Sequence, residues 1–364
     1  MISTISAQLA RRDPERFKSY RTNLDFYHGI QWENRAIRGE KRLTFNYSKV
    51  FIDKIASYLM SGAGFAVDPI VDSTEDKAKS LRAESALAKI YAANNLQQLE
   101  LETEIDCAVL GDACYKVTWD AESAHVRITA PDIQGIYAWW SGDDMSRVWK
   151  VASKYRLSGE ETGLLYQVNS VAKSADVVEV WTDETFELYL DNVLLESKPN
   201  PYGFIPFVLY PNLREPKQFW GVSDLAPIME IQRELNRATS QLSRILELSG
   251  NPIAVLENIE NSDDIAVKPG AVWTIPEDAK AYLLDLLQGG GVNLHIEYIN
   301  LLFRIMHDVS ESPRAAFGGS DRDLSGVALE MEMQPLLQKV ERKRLVRNVA
   351  YNRRNRLAPR TKPP

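Results

Sequence analysis

Gly142-Asp143-Asp144 is a short run whose residue types match a polymerase tripeptide, in which paired carboxylates hold a divalent cation. No second acidic run accompanies it in a suitable hairpin, so the simpler reading is a turn. His28, His125, His295 and His307 are scattered, and only His307 has acids beside it, Asp308 and Glu311. A solvated helix face explains that spacing better than a metal site. Cys107 and Cys114 are too few for a disulfide framework or a tetrahedral zinc site, and are expected to be buried free thiols. The sequence contains no G-x-x-x-x-G-K-[ST], no G-x-G-x-x-G, no H-E-x-x-H and no G-x-S-x-G. Neither a motor nor a cofactor site is therefore expected. Trp139, Trp140, Trp149 and Trp181 could stack bases, yet they lie in strand-like alternation, where such rings more often serve a core or a subunit interface.

Composition narrows the class further. With 364 residues, 45% of them apolar and 26% charged, the chain reads as a globular protein of two or three domains, which excludes disordered and collagen-like classes. The charge-free stretch between Lys198 and Arg214 carries Pro199, Pro201, Pro206 and Pro211, and no window offers the roughly 20 apolar residues of a membrane span. Met1 to Arg12 lacks the apolar run of a signal peptide, so synthesis in the cytoplasm is expected. The net charge of −7 is unevenly spread: residues 337–364 carry +9 and residues 1–336 carry −16. An acidic body argues against a conventional nucleic-acid binder, which gains affinity by neutralising phosphates.

The elements that would position these residues follow from periodicity. Asp13-Pro14 reads as a helix start, with Phe17, Tyr20, Leu24 and Tyr27 on one face before Gly29. Asn46 to Met60, Glu75 to Asn94 and Leu99 to Leu110 read as further helices. From Ala113 to Tyr210 the period falls to about two, giving strands around Tyr115-Val117-Trp119, Val126-Ile128, Val148 to Tyr155, Val177 to Trp181 and Phe186 to Leu190. Gly221 to Ser249 predicts a long helix of roughly 42 Å at 1.5 Å per residue. Its apolar positions Ile228, Ile231, Leu235, Ala238, Leu242 and Ile245 form a heptad seam. Residues 251–288 predict a small α+β insert, with strands near Ile253 to Leu256 and Ala271 to Ile275 and a helix near Asp278 to Leu287. Gly289-Gly290-Gly291 predicts a hinge, and Val292, Ile296, Ile299, Phe303 and Met306 give a second heptad helix ending before Pro313. Arg314 to Gly326 reads as a loop, and Val327 to Leu357 as a long helix containing Pro335. The fold class is α+β.

Ordered along the chain, several runs carry a resemblance: Phe26-Tyr27-His28-Gly29-Ile30-Gln31; Asn46-Tyr47 with Asp53 and Leu59; Ala108 to Tyr115; Asn200 to Phe207; Gly221-Val222-Ser223-Asp224-Leu225 with Asn236; and Ser325 to Leu329. In their order and spacing the sequence resembles the portal proteins of tailed bacteriophages. The resemblance implies a wing over residues 1–220, a first stem helix over 221–249, a clip over 251–288 and a hinge with second stem helix over 289–313. It further implies a tunnel loop over 314–326 and a C-terminal helix with basic tail over 327–364, the crown that usually follows being short or absent here. It implies no enzyme activity and no cofactor. The expected assembly is a ring, commonly of twelve copies, at the capsid vertex of the virion. Double-stranded DNA would pass along its axis in packaging and ejection, and its partners would be the terminase large subunit, head-tail adaptors, capsid and scaffolding proteins, with no membrane. Assembly would take place in the host cytoplasm. The rival reading is a DNA-processing enzyme, a metal-dependent nuclease or polymerase, with an unrecognised site for which Gly142-Asp143-Asp144 and the acidic clip are the candidates.

On this reading Arg314, Gly318, Gly319, Ser320, Asp321, Arg322 and Asp323 form a mobile loop in the DNA channel. Arg233, Arg237 and Arg244 share a helix face that meets either DNA or acids of a neighbouring subunit. Glu257, Glu260, Asp263 and Asp264 offer an acidic rim to a clip partner, and Ile228, Leu235, Leu242, Ile296, Ile299 and Phe303 are expected in the oligomer seam. The basic residues Arg342, Lys343, Arg344, Arg347, Arg353 and Arg354 are expected to point towards packaged DNA.

Overall fold

The computed structural model describes residues 4–62, 64–166, 173–250, 254–258, 277–283, 291–319 and 325–361. Helices come first: α1 (Ile5–Ala10), α2 (Pro14–Tyr27), α3 (Tyr47–Met60), α4 (Thr74–Ala93) and α5 (Leu96–Leu110). α2 begins where the proline sets it, but Asp13 is no side-chain cap. Its φ is 49°, and its carboxylate instead accepts the Trp220 indole N–H at 3.2 Å. α3 is capped as its sequence implies, the Asn46 side chain accepting the Lys49 amide.

The β-rich stretch follows: β1 (Asp112–Asp120), β2 (His125–Thr129), β3 (Ile136–Ser141) and β4 (Asp144–Ser158), then a short α6 (Gly159–Tyr166). After it come β5 (Ser174–Trp181), β6 (Thr185–Leu190), β7 (Val193–Pro199) and β8 (Phe207–Pro211). All strand pairings among the described residues are antiparallel. β3-β4-β5-β6-β7 is a meander, while β8 returns to pair with β1 in the order β2-β1-β8, with Cys114 opposite Leu209. Two short strands, β9 (Leu213–Arg214) and β10 (Gly221–Val222), pair with each other.

α7 (Met229–Gly250) starts at Met229 rather than Gly221, because the preceding residues have other partners. Gly221 and Val222 pair with β9, and the Ser223 hydroxyl donates to the Ala108 carbonyl at 3.1 Å while accepting the Leu225 amide. Here the chain passes so close to the end of α5 that a Cβ on Gly221 would lie 2.3 Å from the Gly111 carbonyl oxygen. In the insert, β11 (Ala254–Glu257) matches the expected first strand to within a residue. The expected helix near Asp278 to Leu287 is corrected: Lys280–Leu283 is a strand, β12, because its backbone pairs with β11. The second expected strand, Ala271 to Ile275, and Gly289-Gly290 lie outside the described residues. α8 (Gly291–Val309) and α9 (Gly326–Leu357) complete the elements, giving a mixed α+β fold.

Two apolar cores organise the fold. The larger joins α2, α3 and α5 to the meander, to the first half of α7 and to the last turns of α8, through Tyr20, Phe51, Leu110, Val177, Trp181, Leu235 and Met306. The second lies between α5, the β2-β1-β8 sheet and the end of α9, and holds Cys107, Tyr115, Val117, Tyr210, Ala350 and Leu357. Burial of these side chains, each worth about 1.5–3 kcal/mol, is what fixes the C-terminal helix to the body. Cys107 and Cys114 are free and buried, as expected.

Candidate functional site: paired long helices and a charged anchor

The first long helix is amphipathic with a narrow seam, and the seam is largely filled within the chain. Ile228, Leu235 and Ala238 are buried in the larger core, Leu242 is half-buried, and α8 packs alongside. On α8, Ile299 and Phe303 join the same core, and the Phe303 ring meets Tyr47 edge-on at 4.8 Å. The assignment of Ile228 and Leu235 to an oligomer seam is thus corrected: both are buried in the larger core of the same protomer. Ile296 stays exposed, and with it goes a stripe the sequence reading passed over. Leu294, Tyr298, Leu301 and Ile305 recur at heptad spacing on the outer face of α8, exposed between 36% and 67%. The Tyr298 hydroxyl donates to Glu234 at 2.9 Å, tying that face to α7.

The three arginines of α7 do not act as a set. Arg233 lies 3.4 Å from Glu33 and over the Phe26 ring, whereas Arg237 forms a two-pronged pair with Glu234 in its own helix. Arg244 is exposed near the end of α7. In the insert, Glu257 accepts the Tyr282 hydroxyl at 3.2 Å. Glu260, Asp263 and Asp264 lie outside the described residues.

The expected mobile loop after α8 begins as a packed turn. Arg314–Phe317 is a 3-10 turn, Ala316 is buried, and Phe317 meets Phe51 at 4.9 Å and His307 at 5.4 Å. Gly318 has φ +80° and the Gly319 amide donates back to the Arg314 carbonyl at 3.2 Å, so the glycines close a turn here. Ser320, Asp321, Arg322 and Asp323 lie outside the described residues. His307 is likewise corrected: it faces the aromatic rings and not solvent. Burial lowers its pKa while its Nδ1 lies 2.6 Å from the Ser312 carbonyl oxygen.

The basic segment is the largest correction. Lys343, Arg347 and Arg354 are buried, as is Lys339, and each reaches an acid of the body. Lys339 lies 3.1 Å from Asp224, which Lys343 also meets; Arg347 lies 2.9 Å from Glu104, and Arg354 lies 2.6 Å from Glu100. Lys343 also donates to the Asn212 side chain at 2.7 Å, and Lys339 donates to the Ser310 carbonyl at 3.0 Å. One helix thereby fastens α5, the β8–β9 junction, the start of α7 and the end of α8. Burial would raise the Asp224 carboxyl, but the ammonium groups of Lys343 and Lys339 outweigh it and hold the carboxyl well below the usual range. Such side chains cannot face DNA. Arg342 and Arg344 are on the outside but paired, to Glu311 at 2.6 Å and Glu341 at 2.9 Å. The spacing held a usable signal: Lys339, Lys343 and Arg347 recur every four residues, as do Glu100 and Glu104, so both sets line one helix face.

Asp112 gives this region a measurable pH response. It accepts the Tyr20 hydroxyl at 2.6 Å and the Gly221 amide at 2.7 Å, yet burial outweighs these bonds and pushes its carboxyl up to about 6. Since an unfolded Asp titrates near 3.9, the folded state keeps a proton that the unfolded state releases, and stability falls as pH rises from about 4 to about 6. The expected loss is about 2–3 kcal/mol, and Asp112→Asn should remove it. Urea midpoints for both proteins at pH 4 and pH 6.5 check this; equal slopes would refute it.

Gly142-Asp143-Asp144 forms the β3–β4 turn, where Asp144 accepts both the amide and the hydroxyl of Ser146. Among the described residues no group of three or more His, Cys, Asp or Glu side chains is placed to hold a metal ion. Nor, among them, is any helix long and apolar enough to cross a membrane. Against known proteins, a family model described as "Phage portal protein, SPP1 Gp6-like" matches residues 7–358, and no curated protein matches. The chain belongs to that family.

Proposed function

We propose that this member of the phage portal protein family works as a ring, commonly of twelve copies in such proteins, set at the capsid vertex with double-stranded DNA passing through it. α7 and α8 act as the stem helices, the β11–β12 ladder as part of the clip, and residues before α7 as the wing. ATP hydrolysis belongs to a terminase large subunit that docks at the clip during packaging in the host cytoplasm, and head-tail adaptors take its place before ejection. Capsid and scaffolding proteins surround the wing. The structural observation that supports assembly is the exposed heptad stripe of α8, on a helix whose opposite face is packed against the core from Ile299 onward. A stripe used head to tail, against a different surface of the next copy, closes into a ring.

The electrostatics suit such a channel. A conduit for duplex DNA must avoid deep minima made by many Lys or Arg contacts to phosphates. Here Lys339, Lys343, Arg347 and Arg354 are buried against acids and so are withheld from any contact with phosphates. The test is direct. Negative-stain imaging and light scattering should show wild-type rings, and Leu301→Asp with Ile305→Asp should leave folded monomers with unchanged circular dichroism. Rings of normal size in that double variant would overturn the role of the stripe.

A further inference from the structure

We infer that Trp149 and Lys150, at a bulge of the β3–β4 hairpin, form a platform for single-stranded nucleic acid, the Trp149 ring taking a base and Lys150 the adjoining phosphate. The inference goes beyond the channel reading and does not need it, because a duplex keeps its base faces stacked inside. The β3–β4 register pairs Trp139 with Lys150 and Trp140 with Val148, so Trp149 is the extra residue of a bulge. A regular strand would send neighbouring side chains to opposite faces. Here the Lys150 ammonium lies 4.0 Å from the centre of the Trp139 ring and 5.2 Å from that of Trp149, so both rings meet one cation. The Trp149 indole N–H donates to the Trp140 carbonyl at 3.2 Å, which fixes the ring by its edge, yet the residue is 45% exposed.

The neighbouring rings show what sets this end apart. Further in, rings and cations alternate: Arg12 lies 5.1 Å from Trp139 and from Trp140, Trp140 stacks on Phe219 at 4.3 Å, and Arg16 lies 3.7 Å from Trp220. That inner end has its counter-charge in Asp13, 3.8 Å from both guanidinium groups. Trp181 is buried in the larger core. Packing therefore accounts for those rings, whereas Lys150 forms no hydrogen bond or ion pair among the described residues. Burial and the charge of Arg12 lower its pKa, and Glu187, which acts against them, accepts the Tyr189 hydroxyl at 2.8 Å. Arg147, exposed two residues before Trp149, adds a further cation. A cation short of counter-charge beside an open, fixed ring matches a ligand that carries an anion next to a flat ring, which is the chemistry of a nucleotide with its base unstacked.

The test measures binding of labelled oligothymidylate and oligouridylate, each of about 15 nucleotides, to the full chain at low salt. Both should bind, and an abasic strand of the same length, with the same phosphates and no bases, should bind about tenfold more weakly. Trp149→Ala should bring the oligothymidylate down to the abasic level while Trp149→Phe keeps most of the affinity, and Lys150→Gln should weaken binding and reduce its salt slope by about one. Tryptophan fluorescence should be quenched by oligothymidylate and not by a duplex or the abasic strand, and Trp149→Phe should lose that quench. Circular dichroism checks that each variant folds. A preference between the two oligomers identifies the sugar that is recognised. Oligothymidylate that fails to bind, that binds no tighter than the abasic strand, or that binds Trp149→Ala as well as wild type overturns the inference and leaves the platform to an acidic protein segment.

Discussion

Removing residues 353–364 is expected to abolish cooperative folding of the part of the chain built on α5 and the β2-β1-β8 sheet. Arg354 is fully buried, pairs with Glu100 at 2.6 Å and lies over the rings of Tyr91, Tyr115 and Tyr351. Leu357 and Ala358 close the second core beneath the β2-β1-β8 sheet. The deletion leaves Glu100 buried without its cation, at a cost of about 3–5 kcal/mol, and empties the Leu357 site at a further 2–5 kcal/mol or so. Together these match the whole stability of a typical domain, about 5–15 kcal/mol. Thermal melts followed by circular dichroism decide the matter: a cooperative transition within a few degrees of wild type would show that the tail is dispensable. A solvated, DNA-seeking tail predicts the opposite, rings that persist and lose only salt-sensitive affinity.

Asp224→Ala is expected to cost about 3–5 kcal/mol, because Lys339 and Lys343 then share a buried site with no counter-charge. Replacing the whole group, Asp224→Leu with Lys339→Met and Lys343→Met, should restore most of that loss, since no desolvated charge remains. Failure of the triple variant to recover would mean that the polar geometry and not the charge balance holds α9. The acid side follows from linkage. The folded Asp224 carboxyl lies below its unfolded value, so its contribution is complete above about pH 4 and is lost as pH falls further. Asp224→Asn should flatten that acid limb of a urea-midpoint profile.

The difference between what the sequence conveyed and what the chain does is a matter of which signals are local. The period-two alternation from Ala113, the Asn46 cap and the heptads of α7 and α8 depend on neighbours within a few residues, and these elements lie where their patterns place them. The start of α7 depends on Gly221 meeting Gly111, far away in sequence, and so was misplaced. Lys280–Leu283 reads as helix until the pairing with Ala254–Glu257 is known. The heptad seam showed that α7 needs a partner, but a seam does not say whether that partner is in the same copy. For Lys343, Arg347 and Arg354 the usual rule that cations are exposed pointed outward, and only the matching four-residue spacing of Glu100 and Glu104 argued otherwise.

The buried pairs on α9 also impose an order in time. Glu100 and Arg354 are 254 positions apart, Glu104 and Arg347 are 243, and Asp224 and Lys343 are 119. A ribosome therefore releases the acids long before the cations that neutralise them. Until the last turns of α9 emerge, α5 presents two carboxylates on a face meant for an interior, and β1 and β8 lack a cover. The nascent chain must wait with its second core unformed, since such long-range closure is slow. Translation thus acts as a clock: the second core cannot close before synthesis has passed Leu357.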